Sequence, residues 1–174
     1  MYRLINAIGF QTAWWMCVLS IRHEFQGFAL GLCVILAVIH LALSRAPFVE
    51  FKTGCWAMGL GILVDSSLQA LSVIQFHGHA LEPLSPFWTW SLWFLFALTL
   101  SSSLSFLQRM PSRYHAALGM VFGPSTYYAG AQLGAAEFSI SWIPLLVLAL
   151  AWMICLPVMV NMAQKFSQSS EVFP

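Results

Sequence analysis

The charged residues of this chain stand almost entirely between long apolar runs, and that placement constrains the fold more than any motif does. Asp65 alone lies deep inside a run. With 60% hydrophobic residues, 7% charged residues and a mean hydropathy of +0.80, the composition is that of a membrane protein. The runs predict an all-α, polytopic membrane protein, a compact bundle of six transmembrane helices over residues 4–21, 27–43, 53–76, 86–107, 114–136 and 139–161. Each span is roughly 17 to 24 residues. At 1.5 Å per residue that crosses a hydrocarbon core of about 30 Å, with the second span marginal and the third tilted. Short connections make neighbours antiparallel and leave no room for a separate soluble unit, so residues 1–174 are read as a single domain. The first run carries Arg3, but Asn6 and Gln11 interrupt it and no small-x-small cleavage pattern follows, so it is expected to be a retained helix.

Six of the seven basic residues fall on one side of such a bundle: Arg3, Arg45, Lys52, Arg109, Arg113 and Lys165, against Arg22 on the other. The positive-inside rule then places both termini in the cytoplasm, and a changed number of spans would scatter these residues over both faces. Trp88, Trp90, Trp93 and Trp142 fit an outer aromatic belt, while Trp14, Trp15 and Trp152 are expected between helices. The net charge of +1 carries no nucleic-acid signal. Cys17, Cys33, Cys55 and Cys155 lie singly, without CxxC spacing, as small buried hydrophobes. His77 and His79 form an HxH pair near Glu82, but solvated loop histidines need no ligand to exist; neither a metal nor a cofactor is expected.

Asp65 falls near the middle of the third span, where facing lipid would be costly. Gly54, Met58, Gly61, Asp65, Gln69 and Ser72 lie within about 40° of it on a helical wheel, a polar and small-residue stripe that must face the bundle. Two readings stand: a ligand site or proton-sensitive site anchored by Asp65 with Gln69 one turn along, or a buried carboxyl that holds helices in register. In the fifth span Gly119, Gly123, Gly130 and Gly134 form two small-xxx-small pairs for helix packing, and Pro124 is expected to kink the helix. Of Tyr127 and Tyr128, at most one is expected to share an interior with Asp65; Gln11 in the first span joins these as a candidate ligand-binding residue. A second polar group, His40, Ser101, Ser102, Ser103, Ser105, His115 and Asn6, gathers toward the cytoplasmic end. A serine–histidine nucleophile is conceivable from these residue types, against which no carboxylate is read at this depth, and intramembrane serines usually bond their own i−4 carbonyl.

Asn6, Phe10, Gln11 and Trp14; Val64, Asp65 and Leu68; Trp88, Leu92, Trp93, Phe96 and Ala97; and Gly123, Pro124, Tyr128, Ala129, Gly130, Leu133, Gly134 and Ala135 together resemble domain-of-unknown-function family 2878, small bacterial inner-membrane proteins. The resemblance spans nearly the whole chain. It implies a bacterial inner (cytoplasmic) membrane and a multi-pass topology, and brings no activity with it. Three function classes remain: a non-catalytic ligand-binding or accessory subunit for a lipid-like molecule, small molecule or partner protein in the membrane or cytoplasm; a substrate-binding subunit of solute transport; or an integral-membrane enzyme of lipid or fatty-acid modification. The first is preferred, because five scattered histidines and one midspan acid make a poor metal-dependent catalyst. The lipid bilayer is the one partner all three share.

Overall fold

A computed structural model describes residues 2–138 and 141–171. Six α-helices are present among them: α1 (Tyr2–His23), α2 (Gln26–Leu43), α3 (Pro47–Ala70), α4 (Phe87–Leu100), α5 (Ser112–Gln132) and α6 (Trp142–Glu171). α1, α2 and α6 are each long and apolar enough to cross a membrane. α4 sits at the centre, packed on α1, α2, α3 and α6. Around it run α1, α2, α3, α6 and α5, each packed on the next, and the ring stays open between α5 and α1, which share at most marginal contact.

The surface is unlike that of a water-soluble protein. Asp65, His40, His115, Thr53, Ser85, Thr89, Thr99 and Ser102 are buried, while Leu4, Phe28, Val38, Leu63 and Ile154 are among the many large apolar side chains left exposed. A surface so apolar, over an apolar core that also takes in these polar side chains, is matched to a lipid environment, where backbone and side-chain polar groups must be satisfied inside.

Several boundaries differ from those expected. α3 begins at Pro47, six residues before Thr53, because proline is well suited to the first turn, where its missing N–H bonds nothing. It ends at Ala70 rather than Phe76. Ser72 adopts φ +56°, its N–H bonds Gln69 O at 2.9 Å and the Val73 N–H bonds Leu68 O at 2.9 Å, a Schellman closure that stops the helix. α5 stops at Gln132, short of the expected Ala136, by the same device: Gly134 takes φ +83°, with Ala135 N–H on Gly130 O and Gly134 N–H on Ala131 O. Each closure feeds one strand of a two-residue antiparallel pair, β1 (Gln75–Phe76) with β2 (Ala136–Glu137). This strand pair, termed a hairpin for its antiparallel form although α4 and α5 separate its strands in the chain, closes one end of the gap between α1 and α5.

α4 ends at Leu100, not Leu107, at the start of the Ser101–Ser103 run, whose side chains compete with helical hydrogen bonding. A 3₁₀ helix, Ser105–Arg109, follows. α6 runs on to Glu171, ten residues past the expected Asn161, and its expected start at Ser139 lies outside the described residues. Trp88 and Trp93, expected in an aromatic belt, are 8% and 5% exposed; α4 is enclosed, so these two are core, while Trp90 is half-buried. Trp15, expected between helices, is 46% exposed.

Candidate functional site

The gap between α1 and α5 is a cleft of about 680 Å³. Phe10, Gln11, Trp14, Trp15 and Val18 form the α1 wall, and α5 supplies the other from Leu118 to Gly130. Its floor is α4, through Trp88, Thr89, Leu92, Trp93 and Phe96, with Trp152 of α6 and Asp65 of α3 reaching in behind. Phe76 and Ala136 of the hairpin close one end, and Leu104, Phe106 and Leu107 border the other. Trp15 and Phe122, exposed by 46% and 64%, flank the side opening.

Asp65 is 1% exposed. Trp93 Nε1 donates to its Oδ2 at 2.9 Å and the Tyr127 hydroxyl donates to its Oδ1 at 2.5 Å, so one carboxyl group ties α3, α4 and α5 together. Among the described residues no cation pairs with it; the ion pairs present are His40–Glu50 and His77–Glu137. Counted from Pro47, Asp65 stands about 27 Å along α3 and about 8 Å from its end, so it lies toward the hairpin end rather than mid-helix.

The two donors to the carboxyl belong to an aromatic cluster. Trp93 and Trp152 stack with centroids 4.9 Å apart, Tyr127 and Phe96 meet Trp152 edge-on at 6.2 and 6.1 Å, and Phe76 lies 6.0 Å from Tyr127. Glycines make this stack possible. A Cβ on Gly61 would sit 2.1 Å from Trp93 Cγ, one on Gly123 2.2 Å from Trp152 Cγ, and one on Gly119 2.2 Å from the Trp152 carbonyl oxygen. Close helix approach through glycine is the expected use of such positions.

Gly130 and Gly134, assigned to the same packing face from sequence, do something else. A Cβ on Gly130 would meet nothing within 4 Å although the residue is buried, because it faces the empty width of the cleft. Gly134 lies beyond the helix and supplies the left-handed turn. Pro124 is accommodated inside α5, which stays helical throughout Ser112–Gln132.

Of the other expected site residues, Tyr127 and Gln11 border the cleft with Asp65. Gln69 and Tyr128 do not. Gln69 is half-buried, with Oε1 enclosed and without a hydrogen bond, and Tyr128, about 100° around α5 from Tyr127, is 42% exposed. Trp93 and Trp152 were not singled out for the site from sequence; their complementarity to Gly61, Gly119 and Gly123 is visible only once helix pairs are known.

At the opposite end a second polar chain joins four segments. The Ser103 hydroxyl donates to Asn6 Oδ1 at 2.7 Å, Asn6 Nδ2 to His40 Nδ1 at 3.0 Å, and His40 Nε2 to Glu50 Oε2 at 2.6 Å. This proton assignment satisfies every member in one direction. Glu50, which the sequence placed in a loop, is the carboxylate of this group. Both ring nitrogens of His40 are engaged, so neither is left to draw a proton from Ser103. His115 Nε2 bonds Leu107 O at 2.7 Å.

A helical bundle with an apolar surface and an apolar side cleft has the character of a membrane-associated protein. Residues 3–158 match the family described as Protein of unknown function (DUF2878), and the chain belongs to it. No curated protein and no solved structure matches the chain.

Proposed function

We propose that this protein crosses the bacterial inner membrane six times with both termini in the cytoplasm, and holds a lipid-like amphiphile in the cleft between α1 and α5 as a non-catalytic subunit. The cleft carries the reading. Its volume of about 680 Å³ falls within the roughly 300–1,000 Å³ usual for small-molecule sites, and it has their character, apolar walls with a few convergent polar groups. The side opening suits a ligand arriving within the plane of the membrane, while the hairpin covers the end through which a water-soluble solute would come. The exposed apolar surface and the positive-inside distribution of Arg3, Arg45, Lys52, Arg109, Arg113 and Lys165 support the topology. α4 has only 14 residues, but its neighbours enclose it. An enzymatic reading has less support, since the His40 group holds its own hydrogen bonds closed.

The test is mass spectrometry of small molecules and lipids retained by gently purified protein, comparing wild type with Gly130→Trp. The indole would project into open space and occupy the cleft without striking a neighbour within 4 Å of its Cβ. One enriched amphiphile in the wild type, lost in a variant of equal thermal stability, is the expected result. Bulk lipid alone in both proteins would overturn the proposal.

A further inference from the structure

We infer that the amphiphile held by the cleft carries a protonated amine, seated against Asp65. The inference rests on the cleft being the ligand site and adds the chemistry of the head group. Asp65 is the only charged residue among the 28 that line the cleft, and no Arg, Lys or His is among them. A phosphate or carboxylate head would therefore meet an acidic group and no cation.

A carboxylate has about four acceptor positions. Trp93 and Tyr127 fill two of them with neutral donors, which orient the group without balancing its charge. A buried carboxylate is stabilised most by a cation that also hydrogen-bonds, and none is brought to it among the described residues. The surroundings suit a cation from outside. Trp93 and Tyr127, which hold the carboxyl, belong to an aromatic cluster with Trp152 and Phe96, and aromatic rings beside an acid are the chemistry by which ammonium groups are recognised. An alcohol head donates one hydrogen bond to Asp65 and leaves the charge unmatched. The apolar remainder of the cleft, from Phe10 to Phe122, accepts the hydrocarbon part.

Three probes of equal chain length test this on the full chain in lipid nanodiscs: dodecylamine, dodecanol and dodecanoate, with native mass spectrometry to count bound probe and tryptophan fluorescence to follow occupancy. The wild type is expected to bind the amine roughly tenfold or more tightly than either other probe, and Asp65→Asn to remove that preference. Equal or tighter binding of the alcohol or the acid by the wild type would overturn the inference, whether or not the Asp65 variant folds. So would undiminished amine binding by a folded Asp65→Asn protein. Gly130→Trp separates the two levels. Alcohol or acid binding that this variant abolishes leaves the cleft standing and removes only the amine, whereas amine binding unchanged in Gly130→Trp places the probe elsewhere and takes down both.

Discussion

Two glycines on one helix, eleven residues apart, should respond to the same substitution with opposite signs. In Gly119→Ala the new methyl carbon would lie 2.2 Å from the carbonyl oxygen of Trp152 and 3.2 Å from Leu156 Cβ. The first obstacle is backbone, which no rotamer change relieves. α5 and α6 would have to part by about 1 Å, loosening the seat of Trp152 against Trp93, and overpacking of this kind costs about 1–3 kcal/mol. The upper end is expected here because the displaced atoms belong to a helix. In Gly130→Ala the methyl meets nothing within 4 Å, and replacing a helical glycine with alanine stabilises by about 0.5–1 kcal/mol. For a chain of this size each kcal/mol moves the midpoint about 2–4 °C, so Gly119→Ala should unfold roughly 6–12 °C lower and Gly130→Ala about 1–4 °C higher than wild type. Thermal unfolding in a single detergent, followed by tryptophan fluorescence, measures both. Equal losses in the two variants would refute the distinction between a packing glycine and a cleft glycine, and would return the three glycines of α5 to one common role.

The helix closures before the hairpin give a second pair: Ser72→Gly should raise stability by about 1 kcal/mol, since serine at φ +56° pays the left-handed penalty, and Gly134→Ala at φ +83° should lower it by about 1–2 kcal/mol, both read from thermal midpoints. In the polar chain at the other end, Glu50→Ala removes the carboxylate that accepts from His40 Nε2 at a buried site, an expected loss of about 1–3 kcal/mol; Glu50→Gln, which keeps an acceptor, should lose less, and equal losses would argue against this hydrogen bond.

The number of helices was legible because apolar runs and charges alternate at membrane length. Asp65 was legible as an interior residue because an acid inside such a run cannot face lipid cheaply. The helix ends were less so. A run read by hydropathy continues through Ser72 to Phe76, whereas the backbone turns at Ser72, and hydropathy carries no record of a left-handed residue. The serines after Leu100 were noted for their hydroxyls, not for their capacity to end a helix. The partners of Asp65 were half visible: Tyr127 was one of two adjacent tyrosines, and which one faces inward follows from the rotation of α5 that Gly119 and Gly123 set against α6. Trp93 was assigned to a surface belt because a single sequence does not say that α4 is the central helix. Glu50 was passed over because it lies between Arg45 and Lys52, and a charge flanked by charges reads as solvated until His40 is found 2.6 Å away.

The brevity of α4 has its own consequence. Fourteen residues make a rod of about 21 Å, while the 24 residues of α3 and the 30 of α6 beside it reach about 36 and 45 Å. The central rod is thus much shorter than the helices beside it, yet the chain does not leave that end empty. Residues 101–109 turn beneath it and pack on α4 and α6, with Leu100 and Leu107 buried in one apolar cluster with Leu156, Met159 and Ala163. Ser103 in this turn, Asn6, His40 and Glu50 are hydrogen-bonded from segment to segment. The polar chain is therefore the joinery between the turn that stands in for the missing length of α4 and three of the helices around it.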